Sequence, residues 1–307
     1  MRVVFLGTSS FAVPTLSALA AHHDVRLVVT QPDRPAGRHA CDRQPAVKCA
    51  ARDLGLPICQ ADRVHQPETL ETLRAASPEA LVVAAFGQIL KPAVFGLAPF
   101  GAINLHASLL PKYRGAAPVN WAIVRGETET GVTTFVIDAG MDTGPMLVQR
   151  ALPIAPDETA GDLEVRLAEL GAGVMLKTLD GLLSGTISPR PQPQIGASLA
   201  PKLARDDGRI VWGTTAREAY DFVRGMTPWP GAWGLLDGQR VKVHRAARTG
   251  ISVGPLAAGQ IGPKESRRLL VACSDEFLEL CDVQREAKGR TSGREFLNGL
   301  RGGAAFS

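Results

Sequence analysis

What this chain lacks removes several classes of function at the start. Its five cysteines, at 41, 49, 59, 273 and 281, are odd in number and never fall in a Cys-x-x-Cys spacing. That argues against a disulfide framework and against a thiolate metal site, and it fits a reducing cytosol. No apolar run reaches the ~18 residues that a membrane helix needs. The N-terminal run Val3–Leu6 is broken after four residues by Gly7-Thr8-Ser9-Ser10 and then Pro14. It is too short for the apolar region of a secretory signal, so a cytoplasmic protein without a membrane partner is expected. The first strand-to-helix turn carries one glycine, Gly7, and not Gly-x-Gly-x-x-Gly. The dinucleotide fingerprint is therefore missing, and neither NAD nor FAD is expected. No internal repeat and no low-complexity tract is visible.

Charge of one sign is also scarce. Lys and Arg number 34 against 30 Asp and Glu, for a net charge of +4. Residues 1–204 hold 18 of each sign, whereas residues 205–307 hold 16 basic and 12 acidic ones. The whole excess lies in the last third, which points either to an anionic partner there or to a solvated mixed surface. With 45% hydrophobic and 21% charged residues, the composition is that of an ordinary globular protein. A length of 307 residues suits two domains, each able to bury a core.

Turning to what is present, the first half alternates strands and helices. Strands are expected at 3–6, 25–30, 56–59 and 80–85, and helices at 14–21, 46–54 and 67–76. That order means βαβ units, a parallel sheet and right-handed crossovers. Near-continuous apolar strands such as Leu81-Val82-Val83-Ala84-Ala85 fit a sheet covered on both faces. A helix is expected at 118–124, strands at 131–137 and 146–152, and a long amphipathic helix at 159–183, capped by Asp157 or Thr159. Residues 31–45 read as a long unstructured connection with three prolines and with Arg34, Arg38 and Arg43. It is either a plain surface loop or a contact for a phosphate-bearing substrate.

Four prolines (189, 191, 193, 201) mark a boundary. The pattern beyond it changes to a helix at 215–225 and then short alternating strands. Those at 232–236 and 239–245 flank Asp237-Gly238, a strong two-residue hairpin signal. Further extended runs are expected near 259–262, 268–273 and 277–284. The expected fold is α/β: a Rossmann-like, mostly parallel sheet with helices on both faces, followed by a C-terminal OB-like antiparallel β-barrel. The division is 1–188 catalytic, 189–204 Pro-rich linker and 205–307 C-terminal, and such barrels often bind nucleic acid.

The stretch that organises the chain is Gly101–Pro118, GAINLHASLLPKYRGAAP. Alternation along a strand puts Asn104 and His106 on one face and Ile103 and Leu105 on the other. Their strand's C-terminal end is where open α/β sheets bind ligands. A second strand end leads into Asp138-Ala139-Gly140-Met141-Asp142-Thr143-Gly144. An amide can donate to an oxyanion, and a histidine beside a carboxylate can stay protonated or pass a proton. Ser108 is near, but no Gly-x-Ser-x-Gly elbow surrounds it, so a covalent nucleophile is missing. Asn104, His106 and Asp142 thus favour direct transfer of a carbonyl-bearing group to an external amine.

Asn104-x-His106-x-Ser108-Leu-Leu-Pro111-x-x-Arg114-Gly115, with Asp138 and Met141-Asp142-Thr143-Gly144, resembles the folate-dependent formyltransferase superfamily. Phe5-Leu6-Gly7-Thr8, the run from Thr30 to Arg38, Arg209-Ile210-Val211-Trp212, Pro228-Trp229-Pro230-Gly231 and Phe296-Leu297-Asn298-Gly299 extend the likeness to its tRNA-directed branch, over nearly the whole chain. The resemblance implies a monomeric transferase that takes formyl from 10-formyltetrahydrofolate and places it on methionine carried by initiator tRNA. It implies catalytic roles for Asn104, His106 and Asp142, and folate contacts at Ser108, Leu109, Leu110 and Pro111. It places the pterin pocket's strand end at residues 84–90, with Phe86 and Gly87. It implies tRNA contacts from Arg38 in the Pro-Ala-Gly-Arg loop and from the barrel, with no metal and no NAD.

The family's adjacent lysines are replaced here by His39-Ala40-Cys41-Asp42-Arg43, where Arg43 restores part of the charge. Two rival readings stay open at this level. One is a sister enzyme that formylates a sugar amine or ribosylamine, against which the Pro-Ala-Gly-Arg loop and Met-Asp-Thr-Gly speak. The other is a noncatalytic nucleic-acid binder, which would have no use for the Asn–His–Asp trio.

Overall fold

The computed structural model describes residues 1–36, 41–300 and 305–307. The chain forms two compact units, and both are discontinuous in sequence. The first comprises Met1–Gly115, Glu129–Pro153 and Glu164–Ala200; the second comprises Ala116–Thr128, Ile154–Leu163 and Pro201–Ser307.

The first unit is organised by seven strands: β1 (Arg2–Gly7), β2 (Asp24–Thr30), β5 (Ile58–Gln60), β6 (Ala80–Ala84), β7 (Ala102–His106), β8 (Glu129–Val136) and β9 (Met146–Pro153). Two short strands, β3 (Arg34–Ala36) and β4 (Cys41–Arg43), pair separately. The sheet order is β5-β2-β1-β6-β7-β8-β9. The first five strands run parallel, while β8 and β9 run antiparallel to their neighbours. Connections from β1 proceed outward to β2 and β5, then cross to β6 on β1's other side. That reversal makes a crevice at the carboxyl ends of β1 and β6, where such sheets take ligands.

The helices are α1 (Val13–His22), α2 (Ala46–Asp53), α3 (Pro67–Ala75), α4 (Pro92–Phe95), α5 (Pro118–Val124), α6 (Ala160–Leu183), α7 (Ala216–Met226) and α8 (Gly293–Asn298). Proline occupies the first turn of α1, α3, α4 and α5, where its missing N–H costs nothing. Thr159 and Asp162 form a reciprocal cap at the start of α6: the threonine hydroxyl accepts from Asp162 N at 3.3 Å, and the carboxylate accepts from Thr159 N at 3.1 Å.

Every residue of β6 is buried, as its unbroken apolar sequence requires. On one face, Val4, Leu6, Leu81, Val83 and Ala102 pack with Val64, Leu73 and Val94. On the other, Leu105 lies so close to α6 that a Cβ on Gly171 would sit 2.6 Å from its Cδ2. The connection at 31–45, expected to be unstructured, carries the β3–β4 hairpin between its prolines. In the backbone register Arg34 pairs with Arg43 at its base. Strands of three residues, one of them with a proline inside, give too short an alternation to register in a sequence.

The second unit holds a five-stranded antiparallel sheet: β10 (Ala232–Leu236), β11 (Gln239–Ser252), β12 (Leu270–Ala272), β13 (Glu276–Arg285) and β14 (Thr291–Ser292). Its order is β10-β11-β13-β12, with β14 branching from β13. Asp237 and Gly238 have φ of +50° and +73°, as the predicted tight hairpin demands. Register shifts along β11 curl the sheet into a half-barrel. Among the described residues, 259–262 make isolated bridges, Gln260 with Ala305 and Ile261 with Val271. The half-barrel closes over α7 and α8, with Trp212, Val223, Val243, Leu280 and Phe296 in its core.

Candidate active site

The site is built at the C-terminal end of β7. Register pairs Asn104 with Val83 and Phe135, and His106 with Thr133. Asn104 and His106 share the face that carries Val83 and Ala102, roughly 7 Å apart along the strand. His106 is buried, and its ring meets Phe135 edge-on with centroids 6.5 Å apart.

Both nitrogens of His106 face protein groups. Nε2 lies 2.9 Å from the Tyr113 carbonyl oxygen. A carbonyl can only accept, so Nε2 carries the hydrogen. Nδ1 lies 3.7 Å from Asp142 Oδ2. The same carboxylate oxygen accepts from the Gly115 amide at 2.8 Å. The structure thus brings His106 and Asp142 together from two strand-end loops. Asn104 stands beside them half-buried, and its carboxamide makes no hydrogen bond to any described residue. Asp142 has φ of +52°, a left-handed conformation that aspartate tolerates better than most residues. Asp138 sets the turn, because its Oδ1 accepts from Gly140 N at 3.0 Å and from Thr143 Oγ1 at 2.8 Å.

The Ser108–Pro111 loop is held from beneath by a residue that sequence reasoning passed over. Thr133 Oγ1 donates to the Ser108 carbonyl at 2.7 Å and accepts from Leu110 N at 3.1 Å and Gln149 Nε2 at 3.0 Å. Gln149 also donates to the Leu110 carbonyl at 2.7 Å. Ser108 is buried, with its hydroxyl engaged by the Lys112 carbonyl at 2.7 Å. Leu110 is buried as well, whereas Leu109 and Pro111 are half-buried. The available signal for Thr133 was a threonine inside a strand, since a buried hydroxyl needs partners.

At the end of β6, the Phe86 side chain is buried in the sheet's core. Its carbonyl accepts from Thr8 Oγ1 at 2.8 Å and Gln31 Nε2 at 2.9 Å. Ala85 and Gly87 have φ of +42° and +80°. The positive φ is what calls for glycine at 87, where an added Cβ would also press on the end of the Gln31 side chain. Gln31 also accepts from Arg34 at 2.7 Å, which ties the base of the β3–β4 hairpin to this turn. Asp33 binds Lys48 Nζ at 2.6 Å and Gln60 Nε2 at 2.8 Å, and these two bonds hold its carboxyl below the usual range. Arg38 lies outside the described residues. Arg43 lies at the end of β4. Among the described residues no group of three His, Cys, Asp or Glu side chains could hold a metal ion, and no helix is long and apolar enough to cross a membrane.

Two family models match the chain: Formyl transferase over residues 1–179, and Formyl transferase, C-terminal domain, over residues 202–301. A methionyl-tRNA formyltransferase of Solibacter usitatus is 48% identical over 98% of this chain and 96% of its own length. One of Acidobacterium capsulatum is 46% identical over 97% and 96%. Among solved structures, an N-formyltransferase from Helicobacter canadensis, in complex with folinic acid and dTDP-3-aminofucose, superposes with a TM-score of 0.68 at 18% identity. That match covers 93% of this chain and 99% of the other, and at such identity it speaks for the fold alone.

Proposed function

The chain belongs to the methionyl-tRNA formyltransferase family. From that premise we propose that it transfers the formyl group of 10-formyltetrahydrofolate to the α-amino group of methionine esterified to initiator tRNA. The observation that carries the reading is buried His106 paired with half-buried Asp142 from a second strand-end loop, with Asn104 on the same strand face as His106 and its carboxamide making no hydrogen bond to a described residue.

The neutral amine attacks the formyl carbon, forming the new C–N bond and a tetrahedral oxyanion. Asn104 donates to that oxygen. His106, protonated on both nitrogens, sets its positive charge beside the oxyanion while Asp142 receives Nδ1–H. Collapse breaks the bond to the folate nitrogen, which leaves with the proton relayed from the attacking amine. At 3.7 Å the His106–Asp142 contact is long for a hydrogen bond. Contacts of this kind tighten when substrate arrives. The folate is assigned to the Ser108–Pro111 loop and the Phe86–Gly87 turn. In that arrangement Leu109, Pro111 and backbone groups meet the ligand, because the Ser108 hydroxyl is engaged within its own loop. The tRNA is assigned to Arg38, Arg43 and the basic C-terminal unit.

Formylation of charged initiator tRNA by the Asn104→Ala variant tests the assignment. Removing one oxyanion donor should lower kcat by about 10²–10³-fold. Affinity for Met-tRNA should stay near the wild-type value. Equal losses in both would move Asn104 from chemistry to binding.

A further inference from the structure

We propose that Gln192, in the Pro-rich segment after α6, is a positioning residue that clamps the Asp142 turn to Arg114. The inference rests on the functional reading above, because it concerns the same site. Gln192 Oε1 accepts from Arg114 Nε at 3.1 Å and Nη2 at 2.6 Å. Its Nε2 donates to the carbonyl oxygens of Asp142 at 2.7 Å and Gly144 at 2.8 Å. An amide has two acceptor lone pairs and two donor hydrogens, and all four are engaged here. The orientation of the amide is set by chemistry, since the guanidinium can only donate and the carbonyls can only accept.

The turn needs such a clamp. Asp142 sits at a positive φ of +52°, which aspartate tolerates but which remains uncommon for any residue other than glycine. Gly144 is pressed against β8, where an added Cβ would lie 1.8 Å from the Val136 carbonyl oxygen. Residues 113–115 then act as a frame. Tyr113 accepts from the imidazole, Gly115 donates to the Asp142 carboxylate, and Arg114 holds the backbone of Asp142 through Gln192. The same Pro-rich segment fastens that frame. Ser198 Oγ accepts from Tyr113 N at 2.9 Å, and the Ser198 carbonyl accepts from Arg114 N at 2.8 Å. The segment read from sequence as a linker thus sets the separation of imidazole and carboxylate.

Gln192→Glu separates placement from folding. The carboxylate keeps both bonds from Arg114 and gains an ion pair, but it cannot donate, and it faces two carbonyl oxygens. The variant should fold with a thermal midpoint near wild type. Its kcat should fall by up to about 10²-fold, the scale for an ångström of misplacement. KM for the formyl donor and for Met-tRNA should hardly move. In an Asp142→Ala background the same substitution should slow the enzyme no further, because there is no carboxylate left to place. Gln194→Glu adds the same charge at an exposed position two residues on, and it should leave activity unchanged. Hydrogen exchange of the 140–145 amides should quicken in Gln192→Glu, a readout independent of turnover. An unchanged kcat, a rise in KM alone, an equal slowing of Asp142→Ala, or unaltered exchange would each overturn the clamp. A wild-type enzyme that formylates no Met-tRNA would sink the function instead, leaving the exchange experiment to decide the clamp.

Discussion

The two units bury different things. Of the eleven buried polar or charged side chains among the described residues, nine lie in the first unit and two, Glu158 and Asp221, in the second. Five of the nine, His106, Ser108, Thr130, Thr133 and Thr134, sit on β7, β8 or the loop after β7. The core of the second unit is an apolar cluster around Trp212, Leu280 and Phe296, and its buried Asp221 is paired with Arg224 at 2.7 Å. Burying a polar group gains little net stability even when it is well bonded, and costs dearly when it is not. A fold concentrates such groups where direction matters more than stability. In the first unit hydrogen bonds aim groups at a site, while in the second apolar area holds a surface together.

The strongest way to break that contrast is to damage the apolar core and look for a chemical effect. Leu280 is fully buried at the centre of the half-barrel. Leu280→Ala should cost about 2–5 kcal/mol of stability, read from urea unfolding. Its kcat per folded molecule, measured well below the midpoint, should match wild type. A matching loss in kcat would show that the second unit takes part in the chemistry.

The converse test sits in the first unit. Thr133→Val keeps the volume but removes the hydroxyl that serves Ser108, Leu110 and Gln149. Leaving buried partners unbonded should cost about 1–3 kcal/mol. The functional signature is a higher KM for the formyl donor, because the Ser108–Pro111 loop loses its underside. A variant that lost stability with an unchanged donor KM would remove that loop from the donor site.

The same contrast governs what could be read before the fold was seen. Strand and helix positions were legible because alternation, unbroken apolar runs and first-turn prolines are local signals. The Asn104–His106 face followed from the two-residue repeat of a strand alone. The Asp142 turn was placed at a second strand end, but nothing local said how it was held. Gln192 is 50 residues downstream in a proline-rich run, and Thr133 is one of three threonines in its strand. Their roles depend on tertiary neighbours, which periodicity does not encode. Likewise, α5 was readable as a helix, whereas its packing against α7 was not. A helix's own pattern says which face is apolar, not what covers it.

The smallest effect sharpens the contrast at one polar contact of the second unit. The Tyr220 hydroxyl donates to Asp157 Oδ1. Burial first, then this bond and the carboxylate's charge, push the phenol up to about 12. In the unfolded chain an ordinary tyrosine ionises near ~10. Below that pH both states keep the proton, and the phenol adds no pH dependence. Between about 10 and 12 the unfolded chain releases its proton first, so the folded state loses stability as pH rises. Tyr220→Phe has no proton to lose. The stability difference between wild type and Tyr220→Phe should therefore stay constant below pH ~10 and shrink above it. Formylation at neutral pH should be the same in both, because Tyr220 serves the packing of its own unit. A difference that stays flat through the alkaline range would mean that the phenol titrates as it does in the open chain. The bond to Asp157 would then hold nothing in place.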